Sequence, residues 1–204
     1  MVGSKKSYFE RVTMMLAMTL LLLATPVGAK SSVASPLERL RAKTRVDAVT
    51  EVAPAQLTGQ YTSTPKELQK RVGPFLSGND LYLFPDGTYI YCEWTDIEPV
   101  TVYDKGTWAF KNGEVALTSD PEITWKPRAE RAYVAVHRWS RTAEILLVGT
   151  GRDLDYFEKH AGNDPEFMLL VSAKKREKTF SQQEAEKLKV TLMKDAWRPK
   201  YFEH

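Results

Sequence analysis

The chain has 204 residues, with 29 lysines and arginines against 26 aspartates and glutamates, and a single cysteine, Cys92. This near-balance of charge disfavours nucleic acid as a partner, because phosphate binding needs a concentrated basic surface. One cysteine cannot form an internal disulfide, so the stability of the fold has to come from a hydrophobic core.

The first 29 residues have the three-part pattern of an export signal. Basic residues precede an apolar run over residues 12–24, which is too short to span a bilayer comfortably. Small residues at 27–29 match what signal peptidase recognises, so we expect cleavage after Ala29 and a periplasmic or extracellular protein. An uncleaved membrane anchor is the alternative. Cleavage leaves 26 basic and 25 acidic residues, a net charge of +1, and no stable membrane insertion is expected afterwards.

Residues 30–56 are predicted to form an N-terminal leader that contains a short helix. Ser35 and Glu38 have the spacing of a capping box, with proline at the first helical position. The leader either packs on the following domain or is loosely tethered to it. Residues 57–204 are long enough for one hydrophobic core and are expected to form a single domain.

From residue 57 the chain has the pattern of short strands connected by tight turns. A helical insertion, residues 63–79, follows the first strand and is a candidate lid. The turn residues at 85–87 (PDG) and 112–113 (NG) indicate hairpins, which place consecutive strands antiparallel. The later strands are expected at 81–84, 87–94, 100–110, 114–118, 131–139, 144–148 and 166–173. Hairpins in sequence order predict a mainly β fold, an antiparallel meander.

Two helices complete the prediction, at residues 153–160 and 181–197. The second begins at a capping box and carries a narrow apolar stripe, so it is expected to dock on the sheet as an amphipathic C-terminal helix. A helix lying on a membrane surface is the alternative. The basic run over residues 174–178 is interpreted as a solvated strand end.

Four short motifs suggest how the meander closes. They are residues 59–61 (GQY), 86–89 (DGTY), 106–108 (GTW) and 112–113 (NG). Over residues 57–148 this series resembles small secreted lipocalin-like (calycin) domains, and the resemblance implies an eight-strand β-barrel. A β-sandwich or half-open roll is the alternative. The first motif has tyrosine where lipocalins usually have tryptophan, and Arg138 and Arg141 are candidates for the basic residue that normally covers it.

A second resemblance, of the PDG turn to the repeat of β-propellers, is rejected. Each propeller blade takes about 40 residues and at least four blades are needed. The chain contains no second copy of the motif.

The sequence does not favour catalysis, and it predicts no metal and no cofactor. The three histidines, His137, His160 and His204, have no metal-ligand spacing, and no nucleophile or phosphate-loop motif is present. Cys92 is expected to be a buried apolar side chain and not a nucleophile.

Candidate binding residues come from the alternation of the strand at 87–94. Tyr89, Tyr91 and Glu93 share one face, and Cys92 and Trp94 share the other. If the tyrosines point into the barrel, they offer ring stacking and hydroxyl groups to an amphipathic ligand. Alternatively they cover the outside of the sheet or pack under the terminal helix. The candidate ligand-binding residues are Tyr89, Tyr91, Glu93, Trp108, Tyr133 and His137.

Three functions are compatible with these patterns. A non-catalytic protein that binds a small apolar or amphipathic ligand predicts an enclosed cavity beneath residues 63–79. A cell-envelope structural or protein-interaction module predicts a filled barrel with an exposed apolar patch. A hydrolase, the third possibility, predicts histidine and acidic side chains converging in a cleft.

Overall fold

A computed structural model describes residues 33–49, 52–122, 130–138 and 141–195. The predicted signal segment 1–29 and the last two residues of the predicted helix 181–197 lie outside the described residues. Within these ranges no helix combines the length and the apolar character needed to cross a membrane.

The described residues form nine strands in one antiparallel sheet. The strands are β1 Val46–Ala48, β2 Gly59–Thr62, β3 Ser77–Leu83, β4 Thr88–Thr95, β5 Thr101–Lys111, β6 Glu114–Ser119, β7 Ala132–Arg138, β8 Arg141–Gly149 and β9 Ala173–Lys178. Strands β2 to β9 pair in sequence order, and β9 pairs back with β2. This last pairing closes an eight-strand barrel, so the predicted meander and its closure are confirmed.

The leader contributes to the barrel wall through β1. Two strands pair with the same edge of β7: β6 pairs with residues 132–134, and β1 pairs with residues 136–138. Val46 is fully buried, and Val49 lies in the barrel core. Residues 46–49 of the leader therefore pack on the barrel.

Five α-helices and one 3₁₀ turn connect or cover the strands in the described part of the chain. They are α1 Pro36–Arg41, the 3₁₀ turn Pro54–Leu57, α2 Lys66–Val72, α3 Arg152–His160, α4 Pro165–Ser172 and α5 Gln182–Asp195. The capping box predicted for α1 is present: the backbone N–H of Glu38 donates to Ser35 Oγ, and Ser35 N–H donates to the Glu38 carboxylate. The predicted insertion contains α2, and α3 and α5 lie where the sequence placed them.

The core inside the barrel consists of side chains that alternate along the strands. It contains Leu57, Tyr61, Leu81, Leu83, Tyr89, Tyr91, Trp108, Val115, Leu117, Tyr133, Ala135, Ile145 and Leu147. Every second residue of a barrel strand points inward. The residues of this cluster therefore identify the inward-facing side of each strand that contributes to it. Tyr89 and Tyr91 are thus inside the barrel.

Two further cores cover parts of the outer wall. One lies under α5 and includes Cys92, Ile90 and Phe84. The other lies under α1, α3 and α4 and includes Val136 and Leu146. Cys92 is completely buried, as expected, but on the outside of the barrel. Burial raises the pKa of its thiol, with the nearby Asp80 carboxylate adding to the effect.

The strand predicted at residues 166–173 is wrong, because this segment is α4. Asp164 caps the helix by accepting the N–H of Phe167 at 2.9 Å, and Pro165 occupies the first helical position. The closing strand is instead β9, the basic run that sequence interpretation placed in solvent. Lys174 and Lys175 of β9 are both buried.

The lower end of the barrel, where β2 begins, is covered by the 3₁₀ turn Pro54–Leu57. Leu57 is fully buried, and its carbonyl accepts the hydroxyl of Tyr61 at 2.7 Å. Arg176 lies directly opposite Tyr61 in the pairing of β2 with β9, and it donates to the carbonyl of Gln56. Arg176 is thus the basic residue beside Tyr61, the tyrosine of the GQY motif.

Arg138 does not cover Tyr61, so this candidate is corrected. It pairs with Glu166 of α4 at 2.6 Å. The side chain of Arg141 lies outside the described residues.

Candidate functional site

The upper end of the barrel, where β4 ends and β5 begins, contains an open cavity of about 570 Å³. We call it the upper cavity. Residues 63, 64, 75 and 77–79 of the helical insertion and of β3 form one wall, and Val171 of α4 contributes to another. An enclosed cavity is expected from the sequence beneath residues 63–79, whereas the cavity found there is open to solvent.

Four aromatic rings line the upper cavity: Phe75, Tyr91, Trp94 and Tyr103. Trp94 is placed by a glycine on the neighbouring strand, Gly78, which is its direct partner in the pairing of β3 with β4. A Cβ atom at Gly78 would lie 2.5 Å from Cζ2 of Trp94, so the indole occupies the space that a side chain would need. These rings provide an apolar surface for a ligand.

Charged and polar groups stand among these rings. The Tyr91 hydroxyl donates to Oε1 of Glu93 at 3.1 Å, and Glu98, Arg152 and Asp153 also line the upper cavity. Burial raises the pKa of the Tyr91 hydroxyl, and the neighbouring Glu93 carboxylate raises it further. The site is therefore amphipathic, with apolar rings and hydrogen-bonding groups on the same walls.

A smaller cavity of about 250 Å³ adjoins the upper cavity and shares Ser63, Asn79, Arg152, Asp153 and Val171 with it. We call it the inner cavity. Lys174 of β9 lines it, and this side chain is only 7% exposed.

The Lys174 ammonium has an unusual set of neighbours for a lysine. Nζ lies 5.3 Å from the ring centroid of Tyr133 and 5.8 Å from that of Tyr91, and 3.9 Å from Oδ2 of Asp153. Burial lowers the pKa of Lys174, and the carboxylates of Asp153 and Glu130 counteract this effect only in part.

Two glycines allow acidic groups to approach this lysine. A Cβ at Gly149 would lie 2.5 Å from Cγ of Glu130 and 2.8 Å from Oδ2 of Asp153, and a Cβ at Gly151 would lie 2.8 Å from Oε2 of Glu130. Glu130 also accepts the backbone N–H of Asp153 at 3.1 Å, at the beginning of α3. The turn between β8 and α3 therefore fixes both carboxylates beside the inner cavity.

The structure brings together most of the candidate binding residues, at different depths. Tyr91 and Glu93 line the upper cavity, whereas Tyr89, Trp108 and Tyr133 belong to the packed core beneath it. The Tyr89 hydroxyl shares a hydrogen bond with Ser119 at 3.3 Å. Tyr89 also lines a separate open cavity of about 460 Å³ between the barrel wall and Lys189 and Met193 of α5.

His137 lies near the lower end of β7, far from the upper cavity in the barrel. Its Nδ1 is 3.1 Å from the carbonyl of Glu144. Neither His137 nor His160 lines the upper or the inner cavity. Within the described ranges, no group of three or more histidine, cysteine or acidic side chains is arranged to hold a metal ion.

Lys174, Asp153 and Trp94 are site residues that sequence interpretation missed. Lys174 belongs to a run of basic residues with no alternating apolar partners, which is typical of a solvated segment. The sequence indicates the position of Lys174 only indirectly. A closed barrel needs a last strand after residue 172, and because side chains alternate along a strand, one of the two consecutive lysines in it has to point inward.

Removing the Tyr133 hydroxyl is expected to stabilise the protein. Tyr133 is fully buried, and among the described residues its hydroxyl has only a contact with the backbone of Glu130 that falls short of hydrogen-bond geometry. Because an unsatisfied buried hydroxyl costs about 1–3 kcal/mol, Tyr133→Phe should raise the free energy of unfolding by about 1 kcal/mol. Urea denaturation measures the change, and a loss of 1 kcal/mol or more on the same scale would show that the hydroxyl has a strong partner.

Alkaline pH is expected to unfold the protein cooperatively. Burial raises the pKa of Tyr61, Tyr91 and Tyr133, and it raises that of Tyr89 to about 12. An unfolded tyrosine titrates near pH 10, so the folded state holds these protons more tightly. Their contribution to stability is complete below about pH 10 and is lost as pH rises toward the folded pKa values.

A pH titration that follows both tyrosinate absorbance and near-ultraviolet circular dichroism tests this expectation. The absorbance of these four tyrosines should rise together with the loss of the dichroism signal. Titration of all tyrosines with a midpoint near pH 10, while the dichroism stays unchanged, would contradict it.

Comparison of the chain with protein-family models, with curated proteins and with solved structures returned no match.

Proposed function

We propose that this chain is an exported, lipocalin-like (calycin) binding protein that holds a small amphipathic ligand in the upper cavity. The observation that carries the proposal is the upper cavity itself, an opening of about 570 Å³ at the end of a closed barrel. This volume lies within the range of about 300–1,000 Å³ that is usual for small-molecule sites. Aromatic rings for an apolar part and Glu93, Glu98 and Arg152 for a polar part line the same space.

The packed core of the barrel limits the size of this ligand. Tyr61, Tyr89 and Tyr133 are at most 1% exposed, and they occupy the space that larger barrels leave for ligands. The proposed ligand is therefore small and is held at the end of the barrel, not along its axis.

Export is the second part of the proposal and rests on the pattern of the first 29 residues. Mass spectrometry of the intact protein, purified from the envelope of its own cells, tests it. A chain beginning at Lys30 is the expected result, and a chain that retains the apolar run over residues 12–24 would contradict cleavage.

Native mass spectrometry of the same material tests ligand binding. We expect a small molecule to be retained by the natural protein and lost from a Trp94→Ala variant, because Trp94 lines the upper cavity. Val190→Ala is the control, since Val190 is 65% exposed on α5 and away from both cavities. A clean apo mass for the natural protein, under conditions that keep its fold, would refute the proposal.

An interaction module is the second candidate function, favoured by exposed apolar side chains near the upper cavity. Leu76 is 67% exposed and Ile97 is 87% exposed, and the carbonyl of Leu76 accepts the N–H of Asp96 beside Ile97. Chemical cross-linking in intact cells distinguishes this candidate. A protein cross-linked from position 97 together with a clean apo mass would support it over ligand binding.

A further inference from the structure

Two consecutive lysines of β9 have opposite environments. Lys175 points outward and pairs with two carboxylates, Glu67 at 2.7 Å and Glu144 at 2.5 Å. Lys174 points inward, and its nearest carboxylate oxygen in an ion pair is 3.9 Å away, beyond hydrogen-bond distance. The two amines therefore differ in solvation and in pairing while sharing one strand.

Burial shifts Lys174 toward the neutral amine, against the attraction that the two rings and the Asp153 carboxylate exert on its ammonium form. Its Nζ is held over the rings of Tyr91 and Tyr133 inside the barrel, where water cannot solvate an ammonium group fully. Burial lowers the pKa of Lys174, whereas its ion pairs raise the pKa of Lys175 despite partial burial. A desolvated lysine that carries a free electron pair is a nucleophile toward carbonyl carbon.

The amine also has access to a ligand. Lys174 lines the inner cavity, which adjoins the upper cavity through five shared residues. A molecule whose apolar part contacts the aromatic rings of the upper cavity can place a terminal group at the inner cavity. The position of Lys174 at that end makes it the reactive group such a ligand meets.

We propose that Lys174 forms a reversible imine with the aldehyde or ketone group of a small apolar ligand bound in the upper cavity. This inference rests on the proposed binding function and assigns the chemical class of its ligand. The nitrogen electron pair of Lys174 forms a C–N bond to the carbonyl carbon, and the carbonyl π electrons move to oxygen, which takes up a proton. Loss of that oxygen as water leaves a C=N bond, so no oxidant, reductant or further reactant is needed.

Asp153 is placed to move the protons of this reaction. Its Oδ2 lies 3.9 Å from Nζ, and Glu130 fixes the beginning of α3 by accepting the N–H of Asp153. The carboxylate takes the proton that nitrogen loses after addition and returns it to the hydroxyl that departs as water. Hydrolysis reverses these steps and releases the ligand.

Reductive trapping with a simple probe tests the proposal. The natural protein, as purified from its own cells, is incubated with one equivalent of benzaldehyde and sodium cyanoborohydride at neutral pH, and the alkylated lysines are identified by peptide mapping. We expect Lys174 to carry at least about tenfold more label than Lys175, because the buried amine is both less protonated and adjacent to the cavity. Label on Lys175 and exposed lysines, with Lys174 at or below their level, would overturn the proposal.

Variants and a non-reactive analogue separate this proposal from the proposed function. Lys174→Met should lose the dominant labelled site, and Lys175→Met should keep it. The peptide map of the natural protein decides the proposal even if Lys174→Met does not fold. Binding of benzyl alcohol, measured by native mass spectrometry, does not require an imine. If benzyl alcohol binds but Lys174 is not labelled, imine formation is refuted and the proposed binding function is retained. If benzyl alcohol does not bind and Lys174 is not labelled, both the binding function and imine formation are refuted.

Discussion

Replacing Gly59 by alanine is expected to destabilise the barrel by at least about 3 kcal/mol. Gly59 has a φ of +147°, which residues with a side chain rarely adopt, and it begins β2 at the seam with β9. A Cβ atom there would lie 2.2 Å from the carbonyl oxygen of Lys178 and 3.2 Å from Cδ of Arg176. Because one of these contacts is backbone, rotation of a side chain cannot relieve it, and the closing pair of strands has to separate.

Thermal denaturation measures this effect, and Gly162→Ala is the matched control. For a domain of this size, 3 kcal/mol corresponds to a fall of roughly 6–12 °C in the melting temperature. Gly162 has no atom within 4 Å of an added Cβ, so its substitution should leave the melting temperature nearly unchanged. Equal melting temperatures for the two variants would show that the seam between β2 and β9 tolerates a side chain.

Replacing Trp108 by alanine should cost about 3–5 kcal/mol, as large aromatic truncations in packed cores do. Trp108 is 8% exposed within the barrel core, and its Nε1–H donates to the carbonyl of Phe84 at 3.0 Å. Truncation leaves a void that the surrounding strands cannot fill, since the barrel constrains their separation. The denaturant midpoint should therefore fall sharply.

Trp108→Phe provides the comparison for this variant. It keeps most of the ring volume and loses the hydrogen bond, so about half of the destabilisation is expected. An unchanged midpoint for Trp108→Ala would mean that the lumen around Trp108 is loosely packed. A clear loss for alanine and a smaller one for phenylalanine would support a filled lower barrel.

Local patterns were sufficient to predict the meander, because turns and strand alternation are determined by neighbouring residues. The PDG and NG turns and the alternation of β4 all lie where sequence interpretation placed them. Alternation could not decide which face of β4 points inward, since both faces are apolar. The structure gives the reason: Tyr91 packs inside the barrel and Cys92 packs under α5, so both faces are buried.

Closure of the barrel is predicted correctly, but the closing strand is not, because its position depends on contacts between distant segments. The apolar residues 167–171 resemble a strand, but Asp164 and Pro165 provide a helix start. The true last strand, β9, is basic and becomes buried only because β2, β8 and several carboxylates surround it. A pattern within one segment cannot reveal partners more than 100 residues away.

The candidate site was predicted in part for the same reason. Tyr91 and Glu93 lie on one strand, so their shared face follows from the period of two residues. Lys174, Asp153 and Trp94 come from three different elements, and only the closed barrel brings them together. The approach of acidic groups to Lys174 also requires Gly149 and Gly151, because a side chain at either position would occupy the space that Glu130 fills.

The burial of Cys92 makes the chain a convenient starting point for site-specific thiol labelling. Cys92 is the only cysteine of the chain, and it is fully buried beneath α5. The wall formed by β5 and β6 has solvent-exposed positions at the cross-strand pair Ala109 and Ala116. A cysteine introduced as Ala116→Cys would therefore be the accessible thiol among the described residues, so a fluorophore or spin label could be attached without first removing the natural cysteine.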